Sequence, residues 1–171
     1  VIVVSNREPY IHERGDGGVV VKRPASGLVT AVEPVMRTCS GTWVAHGSGS
    51  ADREVVDAGD RVAVPPGHDA YWLRRIWLSP EEEQGYYYGF ANEGMWPLCH
   101  VAHVRPVFRE ADWDAYRTVN QRFAAEVVNY ILERSAATGE EYIPEQVYPV
   151  VEILLEYLAA TGAVSTPADP D

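Results

Sequence analysis

The stretch VIVVSNR, residues 1–7, decides how the rest of the chain is read. Val1–Val4 is a continuous β-branched apolar run, the pattern of a parallel strand buried on both faces, and Ser5-Asn6 ends it. Arg7 then stands just past the strand. In open α/β sheets ligands gather at the carboxyl ends of strands, and an arginine there can hold a phosphate through two parallel charge-assisted hydrogen bonds. The alternative is a surface arginine, or one paired with Glu8, Glu13 or Asp16.

Working outward, residues 8–18 are polar and contain Pro9 and Gly15-Asp16-Gly17-Gly18, which predicts a loop or loose hairpin, with Val19–Val21 as a short strand. Leu28, Ala31, Val32, Val35 and Met36 give a one-sided apolar face, hence a helix with Ser26 as N-cap and Pro34 as an internal irregularity. Thr42–Ala45, Val62–Val64 and Tyr71–Leu78 read as strands. Ser79-Pro80-Glu81-Glu82-Glu83 is a helix start, with Ser79 as cap, Pro80 in the first turn and acids near the positive end. Gly85 and Gly89 predict that this helix is short.

Two longer helices follow. Trp113, Tyr116, Val119, Phe123 and Val127 recur at helical spacing over about residues 112–135, and Val147, Val150, Val151, Leu154, Leu155 and Leu158 repeat the pattern over about 145–160. Both end in Ala-Ala-Thr-Gly, at 136–139 and 159–162, read as two glycine C-caps. Residues 163–171 are expected to fray.

The 171 residues suffice for one ordinary domain with a core. Residues 1–134 hold all 14 basic residues and 18 acidic ones, whereas 135–171 hold seven acids and no base, so the chain divides into a body and an acidic helical extension. A net charge of -11 argues against a nucleic-acid or anionic-membrane partner, because no basic run meets phosphates. The apolar start VIVVS is far short of a signal sequence or membrane span, and a cytoplasmic location is expected. Cys39 and Cys99 lie 60 apart with no CxxC; free core thiols are expected, a single disulfide being the alternative.

Three further features bear on chemistry. Gly27 opens a helix, where free N–H groups favour an anion, or it serves a tight turn. The stretch GYYYGFANEGMWPLCHVAH, residues 85–103, joins Tyr86, Tyr87, Tyr88, Phe90 and Trp96 to Asn92, His100 and His103. Aromatic faces and amides suit a sugar-like ligand, while several of these rings suit a core, and both uses are expected. No dinucleotide or phosphate-loop fingerprint, HExxH or nucleophile elbow occurs. His100 and His103 with Glu93 make a weak metal set, since Pro97 and Pro106 argue against one long helix, and no metal or cofactor is expected. The pair Asp52/Glu54 is unremarkable in so acidic a chain.

Taken in order, VIVVSNR (1–7), SGLVTAVEPVM (26–36), GTWVAHGSG (41–49), YYGFANEGMWPLCH (87–100) and WDAYRTVNQRFA (113–124) resemble the N-terminal portion of the trehalose-6-phosphate synthase family over about residues 1–128. The resemblance implies a Rossmann-like parallel sheet with flanking helices, as in the N-terminal half of a GT-B glycosyltransferase. It implies transfer of glucose, with retention, from a nucleotide-sugar donor to a phosphorylated acceptor. By resemblance Arg7 and Tyr87 meet the acceptor phosphate, Trp96 lines the sugar pocket and Gly27 lies on the donor-phosphate side. His46 stands where the family has an acceptor-side tryptophan, and Ser26-Gly27-Leu28 replaces Gly-Gly-Leu. The acceptor is therefore read as a phosphorylated sugar or polyol, not fixed as glucose 6-phosphate.

The family continues with a strand, a His-Asp-Tyr-His motif and a donor-binding domain. Here residues 129–171 supply neither, so turnover by this chain alone is not expected, and no catalytic residue is assigned. The expected role is the acceptor-binding part of such an enzyme, active when completed by a donor-binding domain. The chain is read as a truncated form, a separately encoded subunit or a degenerate copy, with a companion donor-binding chain or a homo-oligomer as the expected partner. The alternative is a noncatalytic sugar-phosphate-binding or interaction module. The apolar stripe of the 145–160 helix either packs on the chain's own 112–135 helix or meets such a partner.

Overall fold

The computed structural model describes residues 1–100 and 104–139. The chain forms two compact units, residues 1–128 and 129–171. The first is built on a four-stranded sheet. Ile2–Ser5 (β1) pairs in parallel with Thr42–His46 (β4), which pairs in parallel with Tyr71–Ile76 (β6). Arg61–Val64 (β5) closes the other side antiparallel to β6, giving the order β1-β4-β6-β5. This mostly parallel sheet with helices beside it is the expected Rossmann-like architecture.

The sheet is apolar on both faces because its central strand is. All five residues of β4 are buried. Trp43 and Ala45 point into one cluster with Leu73 and Tyr71, where Val29 and Met36 of the helix Gly27–Cys39 (α1) cover them. Val44 points the other way, into a cluster with Ile76, Tyr86, Val119 and Phe123. The last two come from the helix Glu110–Thr138 (α5), predicted from its spacing and slightly longer than expected. Arg122 fastens α5 to the sheet side, donating to the Trp77 carbonyl at 2.8 Å and to both Glu82 oxygens at 2.9 and 2.6 Å.

Val1–Val4 departs from expectation in one respect. β1 is parallel, yet among the described residues it has a strand neighbour on one side only, and Val4 is 48% exposed. A β-branched apolar run reports burial potential; it does not report how many neighbours a strand has. Residues 8–22 form the hairpin, Ile11–Gly15 (β2) with Gly18–Lys22 (β3), closed by Gly18 at φ 121°. Ser26 caps α1 through its side chain, as the sequence predicts. The cysteines are free but both exposed, because Cys39 ends α1 and Cys99 ends the short helix Trp96–Cys99, away from either cluster. Asp52–Val55 (α2) is a single turn.

The largest departure lies after Ser79. Ser79 caps the helix as expected and Glu82 completes a capping box: Glu82 N–H donates to Ser79 Oγ and Ser79 N–H to Glu82 Oε2. Pro80–Glu83 (α3) does not stop there; the chain continues through a π-helical segment, Gln84–Met95, into Trp96–Cys99 (α4). The glycines are there for close approach. A Cβ on Gly85 would lie 2.7 Å from Ala115 Cβ, on Gly89 2.5 Å from the Asp112 carboxylate and on Gly94 2.6 Å from the Phe108 ring. Removing those side chains lets the segment lie against α5 and the residues before it.

Residues 129–139 complete α5, and Gly139 at φ 71° ends it, its N–H donating to the Ser135 carbonyl at 2.9 Å. This is the glycine cap expected at 136–139. The helix predicted at about 145–160, the second cap at 159–162, the tail and His103 lie outside the described residues. Among the described residues no helix is long and apolar enough to cross a membrane.

Candidate functional site

A cleft of about 220 Å³ opens at the carboxyl ends of β1 and β4. Asn6, Arg7 and Glu8 enter it directly after β1, and His46, the last residue of β4, enters beside Ser48. Glu83, Tyr87 and Tyr88 form the wall contributed by α3 and the π segment, and Pro24, just ahead of α1, closes a further side. The parallel strands thus deliver their following residues to one place, as the position of Arg7 in the sequence predicts.

Arg7 does not pair with Glu8, Glu13 or Asp16. Its Nε donates to the Tyr87 hydroxyl at 3.2 Å, and its guanidinium lies 5.8 Å from that ring's centroid. The bond to Tyr87 holds the Arg7 charge even more firmly than usual. Tying down Nε orients the planar fork and leaves its two terminal nitrogens for a ligand, the arrangement that suits a phosphate.

Behind this wall is a buried ionic cluster that sequence reasoning missed. Arg75 on β6 is 1% exposed. Its Nε donates to Glu8 Oε2 at 2.8 Å, one terminal nitrogen to the Asp52 carbonyl at 3.2 Å, and the other to the Tyr10 carbonyl at 3.0 Å, with Asp52 Oδ1 at 2.7 Å and His12 Nδ1 at 2.9 Å. Glu8 Oε1 accepts from Ser48 N–H and Oγ at 2.9 and 3.1 Å; Asp52 accepts from His12 N–H and Gly49 N–H at 2.8 and 2.7 Å. A signal was present. Arg74 and Arg75 are adjacent on a strand, so their side chains leave opposite faces of a sheet covered on both. Arg74 pairs with Glu126 of α5.

Two carboxylates share one guanidinium here, and one of them keeps a proton. Burial pushes the Glu8 carboxyl up to about 8, against the pull of Arg75. Burial also works on Asp52, but hydrogen bonds from His12 and Glu8 outweigh it and hold Asp52 down at about 2. The folded chain therefore retains a proton on Glu8 that the unfolded chain has lost, so stability should decline as pH rises from about 4.5 to about 8. Asp52 works in the opposite sense, its contribution being lost as pH falls through about 4 toward about 2. Glu8→Gln, which keeps the neutral form, should abolish the alkaline decline and retain the acidic one. Urea midpoints across that range check this; parallel profiles for the two proteins would refute it.

The sequence-predicted residues divide. Arg7, Tyr87 and His46 share the cleft. Gly27 is the first residue of α1, with open space where a Cβ would lie apart from its own chain neighbours and helix backbone, and is not among the lining residues. Trp96 is 51% exposed, stacks on His100 at 4.3 Å between centroids, and also stands apart from the cleft lining. The aromatic stretch serves two uses as expected: Tyr86 and Phe90 pack with Tyr116 at 5.6 and 4.6 Å, while Tyr87 and Tyr88 face the cleft.

A mostly parallel sheet covered by helices on both faces is the Rossmann-like N-terminal domain architecture of GT-B glycosyltransferases. The sequence profile of glycosyltransferase family 20 matches residues 1–137, and the chain belongs to that family. It is 39% identical over 139 residues to the trehalose-6-phosphate synthase of Mycobacterium avium, covering 81% of this chain and 26% of that protein. With the Mycobacterium marinum trehalose-6-phosphate synthase the identity is 40% over the same length and shares. An E. coli structure solved with UDP-2-fluoro glucose bound superposes with a TM-score of 0.50 at 25% identity, covering 75% of this chain and 24% of that one. The chain spans about a quarter of the length of the curated relatives it matches.

Proposed function

We propose that residues 1–134 bind the phosphorylated acceptor, a sugar or polyol phosphate, of a retaining glucosyltransferase that takes glucose from a nucleotide-sugar. The observation that carries this is the Arg7 guanidinium, oriented by Tyr87 at a strand end and aimed into a cleft walled by Tyr87 and Tyr88. Arg7 and Tyr87 hold the phosphate and His46 lies toward the sugar. Gly27 and Trp96 complete the donor-phosphate and sugar sides once a donor-binding domain is present. The E. coli relative, solved with a nucleotide-sugar analogue, supports a nucleotide-linked donor. Transfer is completed by a donor-binding domain, in the cytoplasm. Residues 135–171 form an acidic extension to this domain.

Titration calorimetry of the full chain with sugar phosphates tests the reading. A charge-assisted arginine–phosphate contact contributes about 1.5–3 kcal/mol, so Arg7→Ala should weaken binding roughly tenfold or more. Absence of binding by any sugar phosphate, or an unchanged affinity in Arg7→Ala, would overturn it.

A further inference from the structure

The cleft is chemically lopsided. Its charged donor is Arg7, whereas the wall formed by His46 and Glu83 presents acceptors. His46 is 6% exposed, and its Nδ1 lies 3.5 Å from the Ile76 carbonyl, an oxygen that can only accept. That contact is attractive when Nδ1 carries the hydrogen, which leaves Nε2 as a lone-pair acceptor. Nε2 faces Glu83 Oε2 at 3.9 Å, too far for a hydrogen bond between them. Glu83 is the member of the Glu81-Glu82-Glu83 run that turns into the cleft; Glu82 is occupied by Ser79 and Arg122, and Glu81 accepts from Ser79 Oγ. On the same cleft, Asn6 Oδ1 is shut from solvent with no hydrogen-bond partner.

A ligand that satisfies this cleft carries acceptor oxygens at one end and several donors at the other. Resting on the sugar-phosphate reading above, we infer that His46 and Glu83 form a paired subsite for ring or chain hydroxyls, and that Glu83 is the residue that selects a polyhydroxylated acceptor over a bare phosphate. Two neighbouring hydroxyls donate to Nε2 and to the carboxylate, filling the gap the two side chains leave between them. A tryptophan in place of His46 would offer a face and one N–H donor instead of this acceptor pair. The acidic run hides Glu83 in the sequence, since three consecutive carboxylates at a helix start already have a reason to be there.

Inorganic phosphate, glycerol 3-phosphate and glucose 6-phosphate, titrated into the full chain, separate the parts. In the unaltered protein affinity should rise along that series. Glu83→Gln should weaken glucose 6-phosphate roughly tenfold while inorganic phosphate binds unchanged or slightly tighter, because a carboxylate acceptor is lost and a like charge removed. The His46 imidazole nitrogen resonances should shift with glucose 6-phosphate and stay put with inorganic phosphate, a response that a merely structural histidine does not give. Equal loss of all three ligands in Glu83→Gln, or an unchanged preference for the sugar phosphate, would overturn the hydroxyl-reading pair and leave the Arg7 site standing. If none of the three binds, the sugar-phosphate reading falls and this one with it.

Discussion

An Arg75→Met variant should be less stable by about 3–5 kcal/mol, the cost of leaving buried charge uncompensated when one partner of a buried pair is removed. Methionine follows much of the aliphatic path of arginine but supplies none of its five N–H donors. Asp52, held ionised and fully buried, would lose its one full positive partner and keep only hydrogen bonds from His12, Gly49 and Glu8, and the Tyr10 carbonyl would lose its donor. Lysine should not rescue the variant, because a single ammonium cannot reach Glu8, Asp52 and the Tyr10 carbonyl in the directions the planar fork does. Adding Glu8→Gln should cost less than the two separate losses summed, since the two residues are in direct contact and their effects will not add. Urea unfolding measures each; a loss below about 1 kcal/mol for Arg75→Met would show that the cluster contributes little.

Phe123→Ala is expected to cost a similar amount, about 3–5 kcal/mol, through a cavity where α5 meets the sheet. Phe123 and Val119 are the buried residues of that helix, packed with Val44, Ile76 and Tyr86. Hydrogen exchange should locate the damage. Amides of residues 110–128 should lose protection well before those of α1, which packs on the opposite face with Trp43 and Met36. Uniform loss across both faces would mean that the two clusters unfold as one and that α5 has no separate hold.

How far the sequence carried the reading depends on what each residue reports. The run Val1–Val4 identified a parallel strand, and the spacing of Val119 and Phe123 identified the face of α5, because both patterns are local. The edge position of β1 was hidden because neighbour count is a property of other segments. Gly85 and Gly89 misled for a definite reason: a missing side chain looks the same whether it weakens a helix or admits Asp112 and Ala115 to its surface. In the site, Arg7 was legible from its place after a strand, and His46 and Tyr87 through resemblance. Glu8 was not, because a glutamate next to an arginine reads as that arginine's partner, whereas its partner is Arg75, far along the chain. Cys39 and Cys99, expected in the core, are exposed because each lies at the end of a helix.

The wide turns of Gln84–Met95 also set how this site can change over descent. Three consecutive tyrosines are dealt to three surroundings: Tyr86 against Phe123, Tyr87 against Arg7, Tyr88 half in solvent at the cleft mouth. A π turn carries more residues than an α turn, so residues along it leave at a different angular step. Deleting one position upstream of Tyr86 should shift the triplet relative to Arg7 with no side chain altered, read as loss of the Arg7–Tyr87 bond. Substitution tunes most pockets; in this one a one-residue change of length acts as a gear.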